Sequence, residues 1–360
     1  MLLLIISSSY CRMSSGLLED IEEALSSRER TRDKLRENSL HFSASNDIWN
    51  RFYDNAEINT HVNTNRTVKG CDHVFVDYVL FKNFSPEGVI RISEPTADTK
   101  VLVSTSSFIN CSSNKNGGSI YMAISEFGEG DGSFVQYKVC SYESKITEDY
   151  KTGSHSYICV TNDDNHKNFV IESSFTQSTG ASAVLYNRYG SILLSSINIS
   201  DSNLEKNTAF SSVKPSSLST TNFSNFKNIS SSEQCCFYHQ ENTQNFYFCN
   251  VINNKVSKDG DGIFYLYEVT FSVNHCFYKG NNASNLSVMS NEYFLVTVNE
   301  CHFEENTFPT DKYYIKKSSS MTELNLSNLY SPYLCALPNR TKIILHTEGP
   351  NFIHQWRLRR

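Results

Sequence analysis

No run of 18 consecutive apolar residues occurs in this chain, so no segment reads as a membrane-spanning helix. Basic residues are not in excess. The 32 Lys and Arg face 38 Asp and Glu, giving a net charge of −6. Apart from Arg357, Arg359, Arg360 and a mixed-charge stretch at 28–36 they are scattered, so nucleic acid is not expected as a partner. Motifs that carry chemistry are also missing. No two cysteines have the C-x-x-C spacing of a zinc or redox site, and nucleophile constellations, phosphate loops and dinucleotide fingerprints are absent. Accordingly no residue is assigned as catalytic, cofactor-binding or metal-ligating, no cofactor is expected, and the chain is not expected to be an enzyme.

What the chain does have is a repeat. Large apolar residues recur at Phe81, Phe108, Tyr142, Phe175, Ile199, Phe223, Val251, Phe277, Phe303 and Leu329. Seven of the nine intervals fall between 24 and 28 residues, and the two long ones flank a polar insertion at 148–153. A period in this range marks stacked supersecondary units. Counted from the column residue, positions −7, −5 and −2 are selective too, as in Val74, Val76, Val79 and Phe81, or Val296, Val298, Cys301 and Phe303. The −5 row is apolar except at Ser272, and the −2 row is mostly small: Ser106, Cys140, Ser173, Thr221, Cys249, Cys301 and Ser327.

Alternation by two, a skipped residue, then alternation by two again describes two short strands meeting at a corner and facing one core. A polar turn follows, with Asn83, Asn110, Asn225 and Asn253 at +2 positioned to form an amide ladder. A third apolar patch comes next, at 88–92, 119–124, 154–160, 183–186, 234–238, 262–267 and 313–317. Three strands per unit make an all-β fold, a right-handed parallel β-helix solenoid of about ten coils spanning 71–337. In this frame Phe277 points inward and Asn281 lies in a solvent-facing turn.

Residues 1–13 read as a secretory leader, with the apolar run Met1 to Ile6 entering small residues. Residues 14–70 read as a helical and irregular cap, and 338–360 as a tail. Within the cap, Leu17, Leu18, Ile21, Ala24 and Leu25 form one helical stripe. That helix, with Phe42, Ile48, Trp49, Phe52 and Tyr53, is expected to cap or flank the open N-terminal end of the solenoid. Ten Asn-x-Ser/Thr sequons, at Asn65, Asn83, Asn110, Asn198, Asn222, Asn228, Asn282, Asn285, Asn325 and Asn339, accord with an extracellular or cell-surface protein.

Of the eleven cysteines, Cys140, Cys249 and Cys301 occupy the −2 row and are expected as buried free thiols. Cys249 and Cys301 are two coils apart, with His275 between them, which is too far to bridge. The adjacent Cys235 and Cys236 point to opposite faces, one inward and one more accessible. The acidic groups Asp163-Asp164 beside His166, Asp259-Gly-Asp261, and Glu300, Glu304 and Glu305 are read as turns and surface rather than metal cages. A polygalacturonase site would need Gly-His-Gly and Arg-x-Lys on consecutive coils, and neither Gly-His-Gly nor Arg-Ile-Lys occurs.

Gly117-Gly118-Ser119-Ile120-Tyr121 following Phe108-Ile109-Asn110, and Phe303-Glu304-Glu305-Asn306, resemble the paired motifs of polymorphic outer-membrane β-helix proteins. The whole pattern is similar to right-handed β-helix, pectin-lyase-like surface families of unicellular eukaryotes. That resemblance implies adhesion or display, with glycans or cell-surface proteins as partners, and assigns no catalytic residue. The expectation is a non-catalytic binding rod. The alternative is a degenerate polysaccharide lyase or hydrolase, which would present acidic and aromatic residues in an outward row across adjacent coils.

Overall fold

Strand ladders between successive repeats, all of them parallel, organise the chain. The computed structural model describes residues 47–70, 72–126, 128–206, 209–257, 261–289, 296–308, 315–316 and 322–326. The fifth repeat shows one complete coil: Ser191–Ser195, Asn198–Ser200, Asn203–Lys206 and Phe210–Val213. Each strand pairs with its equivalent one coil earlier and one coil later, so the four positions build four sheets. Sheet I has 11 strands, sheet II has nine, the short sheet III has six and sheet IV has nine. The result is a right-handed parallel β-helix of about eight full turns rather than ten.

The ladder begins at Thr60–Val62, paired with Val74–Val76. At the other end, Ile315–Lys316 joins sheet I beside Val298 and Asn299 instead of serving as a third strand. Leu324 does not start a tenth coil. Its N–H donates to Asn250 Oδ1 (3.0 Å) and its carbonyl accepts from Asn250 Nδ2 (2.9 Å), which places it outside sheet II. Leu329 lies outside the described residues.

Register fixes the inward column as Phe81, Phe108, Ser141, Phe175, Ile199, Phe226, Val251, Tyr278 and Phe303. Three expected members are therefore displaced. Tyr142 faces outward beside Ser141. Phe223 sits at the corner, 45% exposed, while Phe226 is fully buried. Phe277 is outward of Tyr278, although it is enclosed and stacks on His302 at 5.4 Å. With the corrected column, positions −7 and −5 hold their registers in all nine coils, and every variation in repeat length falls in loops. Burying each Phe of this column contributes about 2–3 kcal/mol.

Two corners explain the pattern. The residue at −3 in every coil, from Tyr78 to Glu300, has φ between 45° and 56°. The residue at +2, from Asn83 to Glu305, has φ between 50° and 62°. One left-handed residue between extended neighbours turns the chain without leaving the ladder, as when the Phe223 N–H still reaches Tyr247 O at 3.3 Å. The geometry also aims the next residue's N–H into the rod, where an acceptor is required.

At −2 that acceptor is a small side chain of the following coil. Val79, Val139 and Ile197 N–H groups donate to Ser106, Ser173 and Ser224 Oγ at 3.0–3.1 Å. Each of these hydroxyls donates in turn to the carbonyl two residues earlier. Cysteine takes the same role: Cys276 N–H donates to Cys301 Sγ at 3.4 Å, and the Cys249, Cys276 and Cys301 thiols each donate to the carbonyl two residues back. Cys276, not His275, therefore lies between Cys249 and Cys301, and three free thiols stack on consecutive coils. His275 is on the surface at −3.

At +3 the acceptor is asparagine in the later coils. The Ile229, Asn254 and Asn281 N–H groups donate to Asn254, Asn281 and Asn306 Oδ1 at 2.9–3.0 Å. The same three amides donate to Phe226, Val251 and Tyr278 carbonyls. Asn281 is thus fully buried, not solvent-facing. This ladder is the physical content of the Phe-x-x-Asn motif: an inward residue, a left-handed corner, and an amide that serves the buried N–H.

Cys140 also departs from expectation. It lies at −1 on the outer side of sheet II and is disulfide-bonded instead of free. Cys235 and Cys236 are both fully buried, so neither is accessible. The helix at 47–53 flanks the rod instead of covering its end. Trp49, Phe52 and Tyr53 pack on the outward sheet I residues Phe75, Leu102 and Val135, and Tyr53 OH donates to Val101 O at 2.8 Å. Phe42 and the stripe at 17–25 lie outside the described residues.

The interior is not uniformly apolar. In the third coil, His155 Nε2 meets Gln136 Oε1 at 3.0 Å, Gln136 Nε2 donates to Ser156 Oγ, and Ser144 joins Ser119 and Ser141 at 2.7 and 2.6 Å. Further along, His239 Nδ1 meets Gln244 Oε1 at 2.7 Å, and Ser212 and Ser219 pair at 2.9 Å. Burial pushes the His155 pKa down to about 3 and, despite the Gln244 contact, that of His239 to about 4.

Candidate functional site

Because the inward rows are consumed by packing, any partner meets the outward rows, and three of these have distinct chemistry. The first is a polar cleft of about 360 Å³ over the second to fifth coils. Its walls are the +2 row, Asn110, Glu143, Gln177 and Asp201, and the +4 row, Lys145, Thr179 and Asn203. The left-handed corner turns each +2 side chain into solvent, while the short strands of sheet III hold the +4 residues one coil apart. Asn228 Nδ2 donates to Asp201 Oδ1, and Ser230 Oγ to Asn203 Oδ1, both at 2.9 Å, closing the cleft at one end. Asn110 Nδ2 donates to Asn83 Oδ1 at 2.9 Å at the other. Two carboxylates, one ammonium and several amides can bind a polyhydroxylated or amide-bearing ligand. Glu143 and Asp201 are two coils apart, about 9–10 Å by strand spacing.

The second is an aromatic ridge at −3. Phe223 and Phe248 stack with centroids 5.3 Å apart and planes 5° from parallel, and His275 meets Phe248 edge-on at 5.0 Å. His275 Nε2 lies 3.1 Å from Glu300 Oε2. The rings are 45% and 36% exposed. This is an outward row of aromatic and acidic residues across adjacent coils, with one carboxylate in it.

The third, a tyrosine stack on sheet IV, is covered. Tyr121, Tyr157 and Tyr186 stack at 5.7 and 4.6 Å. The loop holding Glu126 lies over them: Tyr157 OH donates to Glu126 O at 3.5 Å, and Lys151 Nζ pairs with Glu126 Oε2 at 2.7 Å. Arg91 stands 5.1 Å over the Tyr121 ring, and desolvation lowers its pKa to about 10. Burial raises the Tyr121 and Tyr186 hydroxyls to about 12.

The acidic clusters of the sequence are local. Asp163 Oδ1 accepts from Asn165 N–H and Nδ2 at 2.7 Å, which holds its carboxyl below the usual range, and His166 Nε2 contacts Ala97 O. Asp261 Oδ2 accepts the Gln234 N–H at 2.7 Å, a turn contact between coils, while 258–260 lie outside the described residues. Glu304 pairs with Lys279 at 2.8 Å and Glu305 takes a left-handed corner. Among the described residues, no group of three or more His, Cys, Asp or Glu is placed to hold a metal ion, and no helix is long and apolar enough to cross a membrane. Sequence reading missed the cleft and the ridge. The signal for both was the polar or bulky residue at a fixed offset from the column, which becomes visible only once the column is correctly framed. Compared with known proteins, the chain matches no family model, no curated protein and no solved structure.

Proposed function

We infer that this chain is a non-catalytic, exported binding rod that meets glycans or cell-surface proteins through its outward rows. The observation that carries the reading is the disposition of surface charge. Lys138–Glu172, Lys206–Glu233, Lys214–Glu241 and Lys279–Glu304 pair at 2.6–3.5 Å between successive coils, spread over the rod instead of converging. That leaves extended polar and aromatic rows, the kind of surface suited to a long ligand. The Cys140 disulfide supports an oxidising compartment. The three-rung Asn254, Asn281, Asn306 ladder supports kinship with the polymorphic outer-membrane type of β-helix surface protein.

The test is a glycan array together with binding to cultured cells by the folded protein, wild type against Phe223→Ser/Phe248→Ser and Glu143→Gln/Asp201→Asn. Binding lost in one pair of variants locates the face. No engagement by folded wild-type protein sinks the reading. The second reading, a carbohydrate-cleaving enzyme, draws on the Phe223, Phe248, His275, Glu300 row. Release of reducing ends or unsaturated uronate products from polysaccharide would decide for it.

A further inference from the structure

The sequons are not spread evenly over the rod. On the coils from Val74 to Phe308 the sequons with an exposed asparagine are Asn83, Asn110, Asn228 and Asn282; Asn65, between the strands at 60–62 and 68–69, and Asn325, beyond the last coil, are exposed too but lie off these coils. The first three occupy the left-handed +2 corner, with φ of 50–61°, and Asn282 is at +4. All four therefore lie on the single edge where sheet II turns into sheet III. Asn198, Asn222 and Asn285, by contrast, are strand residues and half-buried, and the hydroxyl residues of the first two sequons, Ser200 and Ser224, are buried. Along the edge, the +2 residues of the third to fifth coils are Glu143, Gln177 and Asp201, none of which can be a sequon, and these line the polar cleft. The edge thus has sequons at both ends of the cleft, Asn110 itself being part of its wall, and none along its third to fifth coils.

Two of the sequons sit directly on one another. Asn110 Nδ2 donates to Asn83 Oδ1, and Ser112 Oγ donates to Ser85 Oγ, both at 2.9 Å. At one strand spacing, about 4.8 Å, an oligosaccharide on either of these neighbouring amides crowds the approach of the transferase to the other.

We propose that the protein carries N-linked oligosaccharides along this one edge, at Asn228, at Asn282, and at one of Asn83 and Asn110 in each molecule, framing the cleft. The proposal rests on the reading of the chain as exported. The step is a glycosyl transfer. The amide Nδ2 attacks C1 of a saccharide carried on a lipid pyrophosphate, a C–N bond forms as the C1–O–phosphate bond breaks, Nδ2 gives up one proton, and the lipid pyrophosphate leaves. An exposed +2 or +4 amide accommodates the product without disturbing the ladder, whereas a saccharide on Asn222, whose side-chain oxygen is buried, would have to displace packed neighbours.

The experiment uses the full chain behind a cleavable leader from an unrelated secreted protein, expressed in cultured eukaryotic cells. Protein from the secretory lumen and medium is deglycosylated by an amidase in heavy-oxygen water, and each converted asparagine is mapped by peptide mass spectrometry. The expected result is occupancy of Asn228 and Asn282 in most molecules, of Asn83 or Asn110 but never both, and of neither Asn198 nor Asn222. Asn110→Gln should raise occupancy at Asn83. Peptides with both Asn83 and Asn110 modified, occupancy concentrated on Asn198 and Asn222, or an unmodified lumenal protein would each overturn the proposal. Export by the chain's own first residues is measured separately with a reporter fusion, so failure there removes the localisation reading and leaves the site map to be judged alone.

Discussion

Asparagines one position apart in the same repeat meet opposite fates. At +2, Asn83, Asn110, Asn228 and Asn253 take the left-handed corner and turn outward, with Asn83, Asn110 and Asn228 in solvent; at +3, Asn254 and Asn281 are fully buried and each amide makes backbone bonds on a neighbouring coil. The backbone, not the side chain, makes the difference. A left-handed residue reverses the outward direction and leaves the next N–H inside, so the residue at +3 must bring its own acceptor. Asparagine suits both positions for unrelated reasons, tolerance of positive φ at one and a two-ended hydrogen-bonding group at the other.

The largest effect should come from placing charge on the two sides of one corner. Phe226→Asp puts a carboxylate in the inward column and is expected to cost more than about 4 kcal/mol, whereas Phe223→Asp, three residues earlier, should change stability by under about 1 kcal/mol. Urea unfolding followed by circular dichroism reads both, and equal midpoints would break the frame on which the comparison stands.

Next is the ladder itself. Asn281→Leu strips the acceptor from Asn254 N–H and the donor from Val251 O, with an expected loss of roughly 2–4 kcal/mol. Asn253→Gly, at a corner with φ 52°, should be neutral within about 0.5 kcal/mol. Loss at Asn253 matching that at Asn281 would erase the distinction between the two rows.

Buried histidines extend the contrast to pH. His155 and His239 have folded pKa values of about 3 and about 4, below the ordinary 6.5. As pH falls, the unfolded chain therefore takes up protons before the folded one. Stability is fully present above about 6.5 and is lost as pH drops toward 4 and then 3, by an amount on the order of a few kcal/mol. His239→Leu should flatten the pH dependence between 6.5 and 4, and an unchanged slope would show that this ring does not carry it. The smallest effect belongs to the surface pairs: Lys279→Ala should leave the thermal midpoint within error at moderate salt, since exposed pairs are screened.

Much of the fold was legible because the −5 row, where two sheets share a core, is apolar in most coils, at Val76, Val103, Val170, Leu194, Phe246, Val273 and Val298, with the buried Gln136 and Thr221 as its polar members. Framing failed where a coil offered a larger aromatic beside the true inward residue. Tyr142 outranks Ser141 on size, yet Ser141 belongs to the polar network with Ser144. Phe277 and Tyr278 are neighbours of equal appeal, and choosing the first hid Cys276 and placed Asn281 in solvent. The candidate surfaces were less legible, since the cleft and the ridge join residues of four coils, each about one repeat apart in the chain.

The sequence by itself determined that a repeat of this length stacks as a parallel β-helix, because apolar residues at fixed offsets can be buried only against the next copy. Tertiary structure alone decided which aromatic of each repeat points inward, which asparagines serve the core, and which turn to solvent. Those choices depend on a left-handed residue at two corners, and its signature is a backbone angle that Tyr, Lys, Phe, His, Glu and Asn all adopt here once the ladder on either side holds it.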